Sequence, residues 1–244
     1  MTERVMTESG SDSHRVNVQA APGCGMMKAI VNVNRDWAFG RNGDLLVYIP
    51  EDMKYFRKTT AGAVVVMGRK TLESFPGKKP LKGRINIVLT RDSSRIPGES
   101  KAAADAVIDG SSAEGAAEVI RLMKARYSGI CPQSAVGQGT DASATILVVF
   151  TASVESLILL FKEAGAAGKD AYVIGGASIY KDLLPYCDTC LVTVNDYLPA
   201  ADAPADSWFP DLDAARGWEL AEKGKLQEFD GIHFCFCTYK RVSE

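Results

Sequence analysis

An α/β fold, with a sheet that is parallel at least in part, is what this sequence predicts. Three observations carry the prediction. Short β-branched apolar runs recur at 28–34, 64–67, 86–89, 171–174 and 191–194, and such runs suit buried strands. Segments with helical spacing or helix-start signals lie between them. Glycine stands directly after two of the runs, at Gly68 and at Gly175-Gly176, where a strand must turn sharply into a helix.

The 244 residues carry a formal charge of -2, which gives no electrostatic footprint for nucleic acid. No apolar run approaches the roughly 18 residues that a membrane span needs. The opening 26 residues are polar, lack hydrophobic period and carry no signal-peptide core. We therefore expect a disordered N-terminal extension over 1–26 and a single domain over 27–244. A cytoplasmic, monomeric protein with small-molecule ligands is expected. The six cysteines are then read as free thiols. Cys187 and Cys190 form a CxxC pair. Cys235 and Cys237 alternate with Phe234 and Phe236, so they share one strand face as small apolar fillers, and no metal is expected.

In chain order, the strand at 28–34 is followed by a flexible, glycine-bearing loop around Phe39. A helix then opens at Pro50, where proline's missing N–H costs nothing. Asp52 lies in its first turn, where the helix dipole favours an anion. Asp52 and Phe56 are four apart and share a face, so an acceptor-only fork lies beside an aromatic plane. Taken alone, Asp52 reads first as a plain acid on an exposed helix.

The strand at 64–67 runs into Gly68-Arg69-Lys70-Thr71 and a short helix at 72–75, ended by Pro76-Gly77. A third strand occupies 86–89. From about 95 to 144 Ala, Gly and Ser dominate. This segment reads as an insertion, helical over 116–125 and loop over 110–115 and 134–143. A strand at 145–150 precedes a helix capped by Ser153 that runs to about Ala164 and ends near Gly165 and Gly168. The strand at 171–174 stops at Gly175-Gly176, and a helix over 178–184 is stopped by Pro185. The strand at 191–194 and two last strands at 218–221 and 232–241 close the chain, with Asp230-Gly231 in the final turn.

Several of these residues bear chemistry. Gly68-Arg69-Lys70-Thr71 places backbone N–H groups and two cations at a strand end, a setting that suits phosphate. Arg91 follows the neighbouring strand. Several cations at one crevice favour a cofactor with an extra phosphate, NADPH over NADH. The same four residues also read as a solvated basic turn, and Gly175-Gly176 as a tight corner. Arg84 has the fork that holds a carboxylate, though a surface arginine is the plainer reading. The two histidines, His14 and His233, sit in the tail and the last strand, leaving little material for a Ser-His hydrolase.

In order and spacing these pieces resemble dihydrofolate reductase. The resemblance rests on the strand at 28–34, Phe39-Gly40, Ile49-Pro50-Glu51-Asp52-Met53-Lys54-Tyr55-Phe56 and the run from Val66 to Pro76. It continues through Leu81-Lys82-Gly83-Arg84, the run from Asn86 to Arg91, Val173-Ile174-Gly175-Gly176-Ala177-Ser178-Ile179-Tyr180 and Trp208-Phe209-Pro210-Asp211. It covers roughly 27–94 and 145–244.

The resemblance implies a mixed, mostly parallel eight-stranded sheet flanked by helices. It also implies NADPH-dependent reduction of dihydrofolate, with hydride going to C6 and a proton to N5. Asp52 would grip the 2-amino and N3 edge of the pterin, supported by Thr193. Ile30 and Val31 would line the slot, with Phe56 packing on it. Phe75 and Leu81 would flank the aminobenzoyl ring, and Arg84 would pair with the α-carboxylate of the glutamate tail.

On the cofactor side, Asn32, Ala38, Phe39, Gly40, Arg41, Asn42, Gly43, Asp44, Leu45, Ile174, Gly175 and Gly176 would border the nicotinamide and its ribose. Gly68, Arg69, Lys70, Thr71, Thr90, Arg91, Ala177, Ser178, Ile179 and Tyr180 would hold the phosphates and adenosine. One departure stands out. The family often has Pro-Trp where this chain has Leu46-Val47, so altered antifolate affinity is expected.

Two rivals remain. One is the riboflavin-pathway pyrimidine reductase, similar in fold. The other is a non-catalytic NADP- or folate-binding module.

Overall fold

A computed structural model describes residues 27–127, 147–165 and 170–242. The readings for the 1–26 tail, the loop at 134–143, the strand start at 145–146 and Gly168 lie outside the described residues. The first strand, β1 (Met27–Asn34), is buried on both faces, so it needs cover on both sides. The loop expected around Phe39 is instead a hairpin of β2 (Ala38–Arg41) and β3 (Asp44–Leu45). Asn42 (φ 53°) and Gly43 (φ 82°) turn it; Asn-Gly accepts left-handed backbone at both central positions, which matches the twist of the strands.

Next come α1 (Pro50–Thr59), β4 (Val64–Gly68), α2 (Arg69–Ser74), β5 (Ile85–Leu89), α3 (Gly98–Ala102), β6 (Ala106–Asp109) and α4 (Ala113–Tyr127). After them the chain forms β7 (Leu147–Thr151), α5 (Val154–Glu163), β8 (Ala171–Val173), α6 (Ala177–Leu183) and β9 (Cys187–Asn195). The last strands are β10 (Ser207–Trp208), which joins the hairpin, β11 (Trp218–Lys223), β12 (Gln227–Phe229) and β13 (Ile232–Arg241).

The main sheet runs β11-β13-β9-β1-β8-β4-β5-β7-β6, with β12 also paired to β13. Its pairings from β9 through to β6 are parallel. β13 is antiparallel to β9, and β11 and β12 are antiparallel to β13. The sheet is thus mixed and mostly parallel, but among the described residues it has ten strands where eight were expected. Two causes account for the difference. The strand facing β13 is broken in two around 224–226, and β6 arises in the segment read as insertion.

Over the described part of that segment, the helix expected at 116–125 is present within α4, while strand β6 was not expected. β6 pairs with β7 at the sheet edge, and α4 buries Val119, Leu122 and Met123. The helix begins at Ala113, inside the stretch 110–115 that was read as loop. β6 alternates intermediate and exposed residues, as a strand with one neighbour does.

Helices cover both faces. Val64 and Val66 point into the core that holds Leu157, Ile158 and Phe161 of α5 and Leu183 of α6. Val65 and Met67 point the other way, against Leu72 of α2. Ser153 caps α5 as expected, its side chain accepting from the Ser156 N–H. In β9 the register slips between Met27 and Lys28, pairing Met27 with Cys187 and Lys28 with Thr189. Asp188 is the extra residue, so Cys187 and Cys190 reach the same core despite their odd spacing.

Candidate active site

α1 starts at Pro50 after Ile49, whose carbonyl receives the Met53 N–H at 3.1 Å. Asp52 therefore lies within the first turn, and it faces the sheet: it is 9% exposed. Above it, Asn32 of β1 and Thr193 of β9 are partners across a parallel pair. Thr193 Oγ1 donates to Asp52 Oδ1 at 2.6 Å, and Asn32 Nδ2 donates to Oδ2 at 3.2 Å. Burial pushes the Asp52 carboxyl above its ordinary value, and these two donors pull it back. Among the described residues no cation pairs with it. A buried carboxylate without one is costly, and such sites are commonly functional.

The strand period sorts the expected wall residues. Ile30 packs with Ala63 and Tyr172, and Phe56, Ile174 and Leu191 lie against them on the Asp52 side. Val31 was expected in the same slot, but alternation sends it into the core of the opposite face. Phe75 and Leu81 are partly buried against Val65, Met67 and Leu72. Asn86, fully buried, pins the neighbouring loop: its Oδ1 accepts from Leu81 N–H, and its Nδ2 donates to the carbonyls of Leu81 and Arg84.

Arg84 is 8% exposed, not the surface arginine of the plainer reading. Nε donates to Thr60 O and Oγ1, Nη1 to Lys82 O and Nη2 to Arg57 O. It thus holds the carbonyl end of α1, where a cation also suits the dipole. Among the described residues no carboxylate pairs with it. One N–H remains on each terminal nitrogen, the pair a carboxylate takes.

The glycine-marked ends of β4 and β8 are adjacent. Gly68 N–H donates to Gly175 O at 2.9 Å, and a Cβ on Gly68 would stand 3.0 Å from Ile179 Cγ1. Gly175 has φ 123° and a cis bond to Gly176. Thr71 Oγ1 would lie 3.5 Å from a Cβ on either of these two glycines. No side chain caps the start of α2 or α6. Ala177, Ser178, Lys70, Thr90 and Arg91 border this edge, the last two in the turn after β5. Arg69 is tied to Glu73, so its charge is partly neutralised.

Tyr180 departs from its expected role. It is buried, its hydroxyl donates to Ile30 O at 2.7 Å, and it packs edge-on to Phe39 and Phe209. Its hydroxyl is not free for a phosphate. The hairpin is held at its tip by Arg41 Nη1 to Ala203 O and by Asn42 N–H to Asp206. Ala38 and Gly40 are buried, while Asp44 and Leu45 are exposed.

Sequence reasoning missed three asparagines. Asn86 is described above. Asn34 Oδ1 accepts the N–H groups of Asp36 and Ala38, which fixes the turn into the hairpin. Asn195, 2% exposed, donates to Asn32 Oδ1 and Val33 O, both at 2.8 Å. The available signal was polar amides at inward positions of apolar strands. A cavity of about 140 Å³ lies on the other face of the sheet, against Trp37, Val194, Asp213, Cys235, Cys237 and Tyr239, away from the acid. The four described cysteines are free and buried, and among the described residues no cluster could hold a metal.

Adjacent parallel strand ends marked by glycine, beside a buried acid that no cation pairs among the described residues, form the kind of crevice in which open α/β sheets bind ligands. Comparison with known proteins narrows this. The dihydrofolate reductase family profile matches residues 26–120 and 138–241. The bifunctional dihydrofolate reductase-thymidylate synthase of Leishmania major is 29% identical over 240 residues, which cover 90% of this chain and 40% of that protein. The dihydrofolate reductase of Bacillus subtilis is 26% identical over 218 residues, covering 88% of this chain and 95% of that one. A solved dihydrofolate reductase from Enterococcus faecalis, complexed with NADP(H) and RAB-propyl, shares the fold. Its TM-score is 0.55 at 24% identity, over 90% of this chain and 98% of that one. The chain belongs to the dihydrofolate reductase family. It spans less than half of the bifunctional relative and nearly all of the Bacillus subtilis one.

Proposed function

We propose that this chain catalyses the NADPH-dependent reduction of 7,8-dihydrofolate to 5,6,7,8-tetrahydrofolate. One observation carries the reading: a buried, cation-free Asp52 at one end of α1 and a buried, carboxylate-free Arg84 at the other. From Asp52 to Thr60 the helix rises roughly 12 Å. The ligand that satisfies both ends has a flat N–H edge and, some way off, an anionic tail.

In this reading Asp52 accepts from the 2-amino and N3 edge of the pterin, with Thr193 steadying it. Ile30 and Phe56 form the apolar walls, Phe75 and Leu81 flank the aminobenzoyl ring, and Arg84 takes the α-carboxylate through its two remaining N–H groups. When bound, NADPH supplies the hydride. The close approach of Gly68 to Ile179 and the bare backbone at Gly175-Gly176 fit a cofactor laid against the strand ends. Thr71, Lys70, Arg91 and the start of α6 would hold its phosphates. The Leu45 end of the hairpin, which is exposed, would close over the nicotinamide.

The pyrimidine substrate of a riboflavin-pathway reductase has no glutamate tail to engage Arg84, and a binding module has no turnover. The proposal carries with it a monomeric, cytoplasmic enzyme inhibited by antifolates. Loss of NADPH absorbance on adding dihydrofolate, blocked by a methotrexate-like pterin mimic, is the expected result. NADPH that stays unoxidised in the presence of dihydrofolate counts against the assignment.

A further inference from the structure

We propose that Asn32 and Asn195 form a positioning relay that fixes the plane of the Asp52 carboxylate and reserves one acceptor site on each oxygen for the ligand. The inference deepens the folate reading and rests on it for the identity of that ligand. It begins from an ambiguity. An asparagine amide can face a neighbour with its oxygen or its nitrogen, and only its surroundings decide. Here Asn195 decides. Its Nδ2 donates to Asn32 Oδ1 at 2.8 Å and to Val33 O at 2.8 Å, while its own Oδ1 accepts from Tyr197 N–H at 2.9 Å. Asn195 is therefore fixed at both ends. With its oxygen engaged, Asn32 must turn its NH2 group to Asp52 Oδ2.

The carboxylate then has one donor on each oxygen, Thr193 on Oδ1 and Asn32 on Oδ2. An ionised carboxylate offers about four acceptor sites, so one remains per oxygen. Those two sites match the paired donors of a flat N–H and NH2 edge. Without Asn32 the carboxylate could turn about its Cβ bond with only Thr193 to restrain it. This assigns the Asn32 side chain to the acid rather than to the nicotinamide, where the family resemblance would put it.

The groups facing Asp52 leave a clean titration. Tyr55 from α1 and Tyr180 from α6 are the titratable neighbours, and burial pushes both hydroxyls upward, away from the acid's range. Asn32 on β1 and Thr193 on β9 do not titrate.

The test is a ¹³C-carboxyl NMR titration of Asp52 in the ligand-free protein, in Asn32→Ala and in Asn195→Leu. Loss of a donor to the anion favours the protonated form. The midpoint should therefore rise in both variants, by about half a pH unit or more. NADPH affinity, followed by protein fluorescence, should stay within about twofold, and KM for dihydrofolate should rise more than kcat falls. An unmoved midpoint in Asn32→Ala, or a large loss of NADPH affinity with the midpoint unchanged, overturns the relay. If either variant fails to fold, the parent decides: the Asn32 side-chain amide resonance should shift with the Asp52 midpoint, and an amide that ignores it refutes the relay. None of these titrations needs turnover. A protein that does not reduce dihydrofolate but shows the shifts would defeat the folate reading and keep the relay.

Discussion

In the proposed reading, Asp52 couples function to a cost in stability. Its folded carboxyl titrates above the ordinary carboxylate value because burial dominates. The folded state thus holds this proton at pH values where the unfolded chain has lost it. Stability is greatest below the unfolded value and declines as pH rises through the folded one. Asp52→Asn should accordingly melt at a higher temperature than the parent at pH 7, with the gain shrinking towards pH 4. The same variant should lose about a hundredfold or more in dihydrofolate turnover. Parallel thermal melts and steady-state assays check both; equal melting temperatures at pH 7 would count against the burial argument. Proline and an aromatic four residues on made the turn and face of Asp52 legible, but not its burial: alone it read as a plain acid on an exposed helix, and it is 9% exposed because that face meets the sheet. Asn195 was not legible. A polar residue closing an apolar strand looks like a strand end until the partner strand shows what it meets.

At the scale of elements, the two strand-to-helix junctions control how closely β4, β8 and α6 approach. Gly175 has φ 123°, a backbone conformation that a side chain resists, and a Cβ there would also sit 3.5 Å from Thr71 Oγ1 and Tyr180 Cε2. Gly175→Ala should lose about 1–3 kcal/mol in urea unfolding and weaken NADPH binding. A variant as stable as the parent would show that the junction tolerates a side chain. The junctions were readable because glycine follows an apolar run in both. The hairpin after β1 was not, since its strands are four and two residues long and the Asn-Gly turn lacked the flanking alternation that announces one. Strand β6 was missed for a related reason. Alanine and glycine dilute the apolar period, and an edge strand with exposed Val107 and Asp109 resembles a loop in composition.

Across the whole molecule, the sheet separates two environments. One face carries the acid, the asparagines and the apolar slot. The other carries four thiols within a continuous core. Burial pushes the Cys187 and Cys190 thiols well up and that of Cys237 up to about 12, so thiolate is scarce at neutral pH. Iodoacetamide at pH 8 should leave Cys187, Cys190, Cys235 and Cys237 unmodified in the native protein and label them once it is unfolded. Peptide mass mapping checks this, and rapid native labelling of any of the four would contradict the burial. In the sequence Cys235 and Cys237 alternate with aromatics, but a strand pattern alone does not say which face meets a core and which meets a ligand.

The place of β1 has a further consequence. The first strand of the folded unit pairs with β8 and β9, both of which lie beyond residue 170. On the ribosome it must wait, unpaired and apolar, until most of the polypeptide has emerged. Chain closure over such a span slows assembly. A chain cut after residue 165 lacks Thr193, Asn195 and the Gly175-Gly176 turn, and should protect neither NADPH nor a pterin mimic from dialysis. Retention of either by that fragment would mean that binding precedes completion of the sheet.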